Sequence, residues 1–168
     1  FEMMREEGFS NVTARKVAAR AGCSTQPIFR VYRNMEELWK SIYEKAAAFF
    51  QDYYDLYPRI GSVPFTNLGT AYIAFAREEK HIFELLFLSN VEYKESMYEI
   101  LNGERGNVVT EINHASAQGC SNAGDMFMKI WIFIHGIACM SLMGDYDLSD
   151  VETKELLEQS YIAFATQS

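Results

Sequence analysis

Residues 130–144, IWIFIHGIACMSLMG, are apolar on every side of a helical wheel. That run limits the possible folds more than any other feature of the chain. It is about 15 residues long, short of the ~18 that a membrane span needs. Asp125 and Lys129 precede it within two turns. A helix without a polar face must be covered on every face. The run therefore reads as a deeply buried helix, surrounded by other helices of this chain or of a second copy.

The rest of the chain supplies those helices. No segment shows the period-2 alternation of a half-buried strand bounded by hairpin turns, and helical spacing recurs nearly throughout. Phe1 to Glu7 reads as the end of a helix whose start lies upstream, stopped by Gly8. Thr13 can cap a second helix, Ala14 to Ala21, and Ser24 a third, to about Tyr32. Asn34 with Glu37 makes a capping box for a long fourth helix that Pro58 stops. Pro64 suits the first turn of a fifth. Shorter helices are expected near 80–88, 91–102 and 106–117. A long helix is expected over 125–143, and a last one is opened by Ser149 with Glu152 and runs to about Ala165. The fold class is all-α, divided near residue 46 into a head, 1–45, and a helical-bundle body, 46–168.

Composition excludes other classes. Apolar residues make up 49% of the 168 and Pro occupies 3 positions, which rules out disordered and collagen-like chains. Three cysteines, Cys23, Cys120 and Cys139, are odd in number and far apart, so no disulfide framework follows and a cytoplasmic setting is expected. The net charge is −8, but it is uneven: residues 1–45 carry +2 and the remainder −10. From Gly8 to Met35 there is no Asp or Glu and there are five Lys or Arg. A basic head on an acidic body would attract phosphate at one end and repel it at the other.

Two short capped helices joined by Ala21-Gly22-Cys23-Ser24 match a helix-turn-helix. The turn needs a small residue, one tolerant of positive φ, an apolar plug and a cap, in that order. The inward face would be Val17, Ala18, Ala21, Cys23, Ile28, Phe29 and Leu38. Thr25, Gln26, Pro27 and Arg30 would face outward. Such a helix fits a major groove about 12 Å wide, where Gln can pair with adenine and Arg with guanine.

Residues 8–38, GFSNVTARKVAARAGCSTQPIFRVYRNMEEL, resemble the DNA-binding domain of the TetR family of bacterial regulators. The resemblance rests on Gly8-Phe9, Thr13, Val17-Ala18, Ala21-Gly22-Cys23-Ser24, Phe29, Tyr32 and Glu36-Glu37-Leu38. It implies that Thr25, Gln26, Pro27 and Arg30 face base edges, and that Thr13, Arg15, Lys16, Tyr32 and Arg33 lie near phosphates. The chain departs from the family at Phe29, where Tyr is usual, at Tyr32, where Phe is usual, and at Met35, where Lys is usual. Trp131, His135 and Gly136 are similar to a C-terminal domain type of some TetR-like regulators. The implied function is a ligand-responsive transcriptional regulator, most simply a repressor, that binds a palindromic operator on double-stranded DNA as a homodimer. A helical protein-interaction module whose corner no longer reads DNA is the alternative.

The body would then dimerise and sense a small-molecule effector. Ile130, Ile134 and Ile137 on the long helix, with Leu157, Tyr161 and Phe164 on the last, would form a four-helix interface between two copies. Tyr72, Phe75, Phe83, Phe87, Met97, Phe127 and Trp131 would line a pocket for an apolar or aromatic effector. Phosphate loop, nucleophile elbow and paired catalytic carboxylates are all missing, so no enzyme is expected. No metal or other cofactor is expected either. His135 and Cys139 are four apart but find no third ligand, and Asp145-x-Asp147-x-Ser149 departs from a calcium loop at its sixth and twelfth positions.

Overall fold

The computed structural model describes residues 1–165, and every regular element among them is helical. In order these are α1 (Glu2–Glu7), a single 3-10 turn (Phe9–Asn11), α2 (Ala14–Arg20), α3 (Gln26–Val31), α4 (Met35–Leu56), α5 (Thr66–Glu78) and α6 (Lys80–Phe83). A π-helical turn (Glu84–Leu88) continues α6. It is followed by α7 (Met97–Asn102), α8 (Asn107–Ala117), α9 (Ala123–Met143) and α10 (Asp150–Ala165).

Most helix starts carry the expected caps. Asn34 Oδ1 accepts from Glu37 N at 2.9 Å, and Ser149 Oγ accepts from Glu152 N at 3.3 Å while the Glu152 carboxylate takes Ser149 N–H at 2.9 Å. Two starts differ from expectation. Thr25, not Ser24, stands at the N-cap of α3, and no side chain caps that helix. A cap hydroxyl accepts from the second or third helical N–H, and Pro27 at the second position has none to give. Helix α5 begins at Thr66 because Phe65 has φ +64, which breaks the backbone after Pro64. Its N–H donates instead to buried Glu111 Oε2 at 2.6 Å. The segment 91–96, expected as helix, is irregular.

Packing divides the chain into two compact units, and a single cut near residue 46 does not describe them. The first comprises residues 1–50 and 79–97, the second 51–78 and 98 onward. In the first unit Met4, Leu38, Ile42, Tyr43, Ala46 and Phe50 are buried, as are Ile82, Phe83, Leu85 and Phe87 from the returning segment. Phe50 and Phe87 meet edge to face at 5.3 Å, and Phe83 lies 4.9 Å from Phe87.

In the second unit α5 packs against α9, α10 and α8. Gly69 permits a close approach of α5 to α9 and α10: a Cβ there would stand 3.0 Å from Leu157 Cδ1 and 3.1 Å from Ile134 Cγ2. By length and composition alone the 21-residue helix α9 is long and apolar enough to cross a membrane, although the 15-residue run 130–144 by itself is not. Within this chain α9 is covered on one side only, and the expectation of cover on the other side rests on a second copy. Met126, Phe127, Ile130, Ile134, Ile137 and Ala138 are buried, whereas Met128, Ile132, Met140 and Met143 are exposed.

That burial corrects the expected dimer face. Ile130, Ile134, Ile137, Leu157 and Tyr161 are all 8% exposed or less, on the sides of α9 and α10 that pack within this unit. Phe164 is half-buried against Phe133, at 6.4 Å. A run apolar all round has no intrinsic inward side. Which residues turn in is decided by the neighbours, α5 above all.

Candidate nucleic-acid interface

Helix α2 starts where expected. Thr13 is extended, at φ −124 and ψ 153, and its Oγ1 accepts from Lys16 N at 3.3 Å. Just before it, buried Val12 is held by its carbonyl, which accepts from Trp39 Nε1 of α4 at 3.0 Å, and Phe9 lies 5.9 Å from the Trp39 ring. The helix ends in a left-handed Gly22, φ +66, with Cys23 N donating to Ala18 O at 3.0 Å. No atom would crowd a Cβ at Gly22, so backbone conformation alone makes glycine suitable there.

The corner is more open than its sequence implied. Ala18 and Leu38 are buried and Val17 and Ile28 half-buried, but Ala21, Cys23 and Phe29 are exposed. The core of this unit is assembled on α4 and on residues 79–97, so α2 buries one residue and α3 none. Phe29 at 44% and Val31 at 73% exposure give α3 apolar surface that the sequence did not announce.

The residues expected to meet DNA fall into two groups. Arg15, Thr25, Gln26, Pro27 and Arg30 are exposed, and no ion pair involves either arginine among the described residues. Thr13, Lys16, Tyr32 and Arg33 are engaged within the unit. Lys16 Nζ lies 2.8 Å from Asn11 Oδ1 and 3.3 Å from Glu7 Oε2. The Tyr32 hydroxyl is 3.4 Å from Ser41 Oγ. Glu37 takes the Arg33 backbone N–H at 2.8 Å and lies 3.7 Å from its Nε. The Thr13 cap follows from its i,i+3 spacing and the Arg33–Glu37 pair is i,i+4, whereas Lys16–Glu7 and Tyr32–Ser41, each nine apart, have no signal in residue spacing.

The seven residues expected on an effector wall divide between the units. Phe83, Phe87 and Met97 belong to the first, Tyr72, Phe75, Phe127 and Trp131 to the second. In the second unit Phe127 and Trp131 stack at 6.1 Å, and the Tyr72 hydroxyl lies 2.9 Å from His135 Nδ1. His135 Nε2 faces Cys139 Sγ at 3.7 Å. Burial holds the Tyr72 hydroxyl well above the ordinary tyrosine range, so it keeps its proton and can donate to Nδ1. This polar thread through an apolar wall was not assigned to the site from sequence, although the i,i+4 spacing of His135 and Cys139 was its visible trace. No group of metal-ligating side chains occurs among the described residues.

Two family models match the chain. One, described as the tetracyclin repressor-like C-terminal domain, matches residues 65–164, more than half of the chain. The other, described as bacterial regulatory proteins of the tetR family, matches residues 1–42. Comparison with curated proteins and with solved structures gave no match.

Proposed function

Because the chain belongs to the TetR family, and is thereby a transcriptional regulator with a DNA-binding head, we propose that it is a homodimeric, ligand-responsive repressor of a palindromic operator. The observation that carries this reading is the free outer face of α3, where Thr25, Gln26 and Arg30 stand exposed behind the Gly22 turn. Arg30 and Gln26 would read base edges, and Arg15 would join phosphate without first giving up an internal partner. Two heads on a two-fold axis match an inverted repeat.

Dimerisation uses the exposed stripe of α9, Met128, Ile132, Met140 and Met143, with Val151 and Ile162 of α10. Gly136 lies in the same stripe and is open to approach. Covering such a surface removes apolar area from water at roughly 25 cal/mol per Å². The effector is apolar or aromatic, received by the wall of Phe127 and Trp131, with the Tyr72–His135 pair as its polar contact. It weakens DNA binding by favouring one spacing of the heads over another.

Sedimentation of the protein with a labelled duplex recovered from a random pool tests the reading. Two protomers per duplex and a steep inverse salt dependence are expected. Weak association, insensitive to salt, would favour the protein-interaction module instead.

A further inference from the structure

The acid-free stretch from Gly8 to Met35 holds five cations, Arg15, Lys16, Arg20, Arg30 and Arg33. In the folded first unit, carboxylates from just outside the stretch reach back to three of them. From α1, Glu6 Oε2 lies 2.7 Å from Arg20 Nη1 and Glu7 Oε2 lies 3.3 Å from Lys16 Nζ. From the first turn of α4, Glu37 holds Arg33 by both its backbone N–H and its side chain. The basic head that the sequence displays is thus partly neutralised from its own flanks.

We propose that Glu7 and Glu37 act as internal stand-ins for phosphate, which a DNA phosphate must displace from Lys16 and Arg33. The proposal rests on the DNA-binding reading and assigns these two glutamates the task of setting affinity and salt dependence. A carboxylate offers a cation the same anionic oxygens as a phosphate, so the two compete for one site. The exchange is easy: the Arg33 side chain is 91% exposed and that of Glu37 43%, and exposed pairs are weak. Arg15 and Arg30 meet DNA without such an exchange. Lys16 and Arg33 engage only as their glutamates let go.

Glu37→Gln is the test. It removes the charge but keeps an acceptor for the Arg33 N–H, so the start of α4 is preserved. Glu44→Gln is the control: it makes the same charge change on the same helix, is exposed, and makes no ion pair among the described residues. Binding of the full chain to a labelled random-sequence duplex pool is followed by fluorescence anisotropy at several salt concentrations. Glu37→Gln should bind about two- to fivefold tighter than the parent, as expected for release of an exposed pair. Its salt slope should steepen by up to about 0.9, one phosphate's worth. Glu44→Gln should change both by less, and in an Arg33→Ala background Glu37→Gln should gain no more than Glu44→Gln does. Equal gains from Glu37→Gln and Glu44→Gln, or a gain that persists without Arg33, would overturn the proposal while leaving DNA binding intact. A parent that binds no duplex would overturn both. Should circular dichroism show Glu37→Gln to be unfolded, Glu7→Gln with Lys16→Ala carries the same cycle.

Discussion

Glu79 grips the guanidinium of Arg5 with both carboxylate oxygens, accepting from Nε at 2.7 Å and from Nη2 on the other side. The Arg5 guanidinium also lies over the Phe49 ring, 5.0 Å from its centroid. Glu79 is the non-helical link between α5 and α6, at φ −123 and ψ 49, where the chain re-enters the first unit. The pair therefore ties α1, which carries Glu6 and Glu7, to the returning segment.

Arg5→Ala should destabilise the protein by about 1 kcal/mol. It leaves the Glu79 carboxylate, 10% exposed, without its fork, while the exposure of Arg5 itself keeps the loss at the lower end of the usual range. Arg5→Lys should recover little, because an ammonium cannot take both oxygens in the same geometry. Urea denaturation of the three proteins checks this, and a lysine variant as stable as the parent would contradict it.

Glu111 has a structural task, to receive the N–H of Phe65 where the backbone turns left-handed before α5. Glu111→Ala should cost about 1–3 kcal/mol by leaving that N–H buried without an acceptor. Glu111→Gln keeps an acceptor and should cost distinctly less. Equal losses in chemical denaturation would mean that the charge of Glu111, not its hydrogen bond, matters.

Hydrogen bonds from Ser149 hold the Glu152 carboxylate below its ordinary range. A depressed carboxylate contributes stability above its unfolded value and loses it as pH falls through the folded one. The start of α10 should therefore loosen under acid conditions, not alkaline ones. Ser149→Ala should raise the Glu152 midpoint toward the ordinary value in a carbon-detected NMR titration. An unmoved midpoint would show that the Ser149 hydroxyl is not the cause.

The exposed and buried sides of α9 should respond oppositely to the same charge. Ile132, 67% exposed, should accept Glu with its helix content unchanged while the protein becomes monomeric in sedimentation. Ile134, 0% exposed, should not tolerate it: a carboxylate buried there without a partner should unfold the second unit. An Ile132→Glu protein that stays dimeric would place the interface elsewhere.

Helix starts were legible because caps are local: Asn34, Glu37, Ser149 and Glu152 declare themselves within four residues. The α2–α3 corner was legible for the same reason, since Gly22 and Thr13 act on their own backbone. The inward side of α9 was not. Ile132 and Ile134 are alike as residues, and only packing decides that Ile134 turns in, beside Gly69 of α5, and Ile132 out. Nor was the gathering of 79–97 with the first 50 residues readable, because the Arg5–Glu79 pair joins positions 74 apart. The engagement of Lys16 and Arg33 is not legible in a charge count, which gives their sign but not their partners.

The most direct measurement is selection from a random duplex library by the parent and by Arg30→Ala in parallel. The parent should enrich an inverted repeat. Arg30→Ala should enrich the same repeat with its preference relaxed at one base pair in each half-site, a loss of about 1–3 kcal/mol of discrimination there. No enrichment by the parent, or an identical motif from both proteins, would contradict the assignment of α3 as the element that reads DNA.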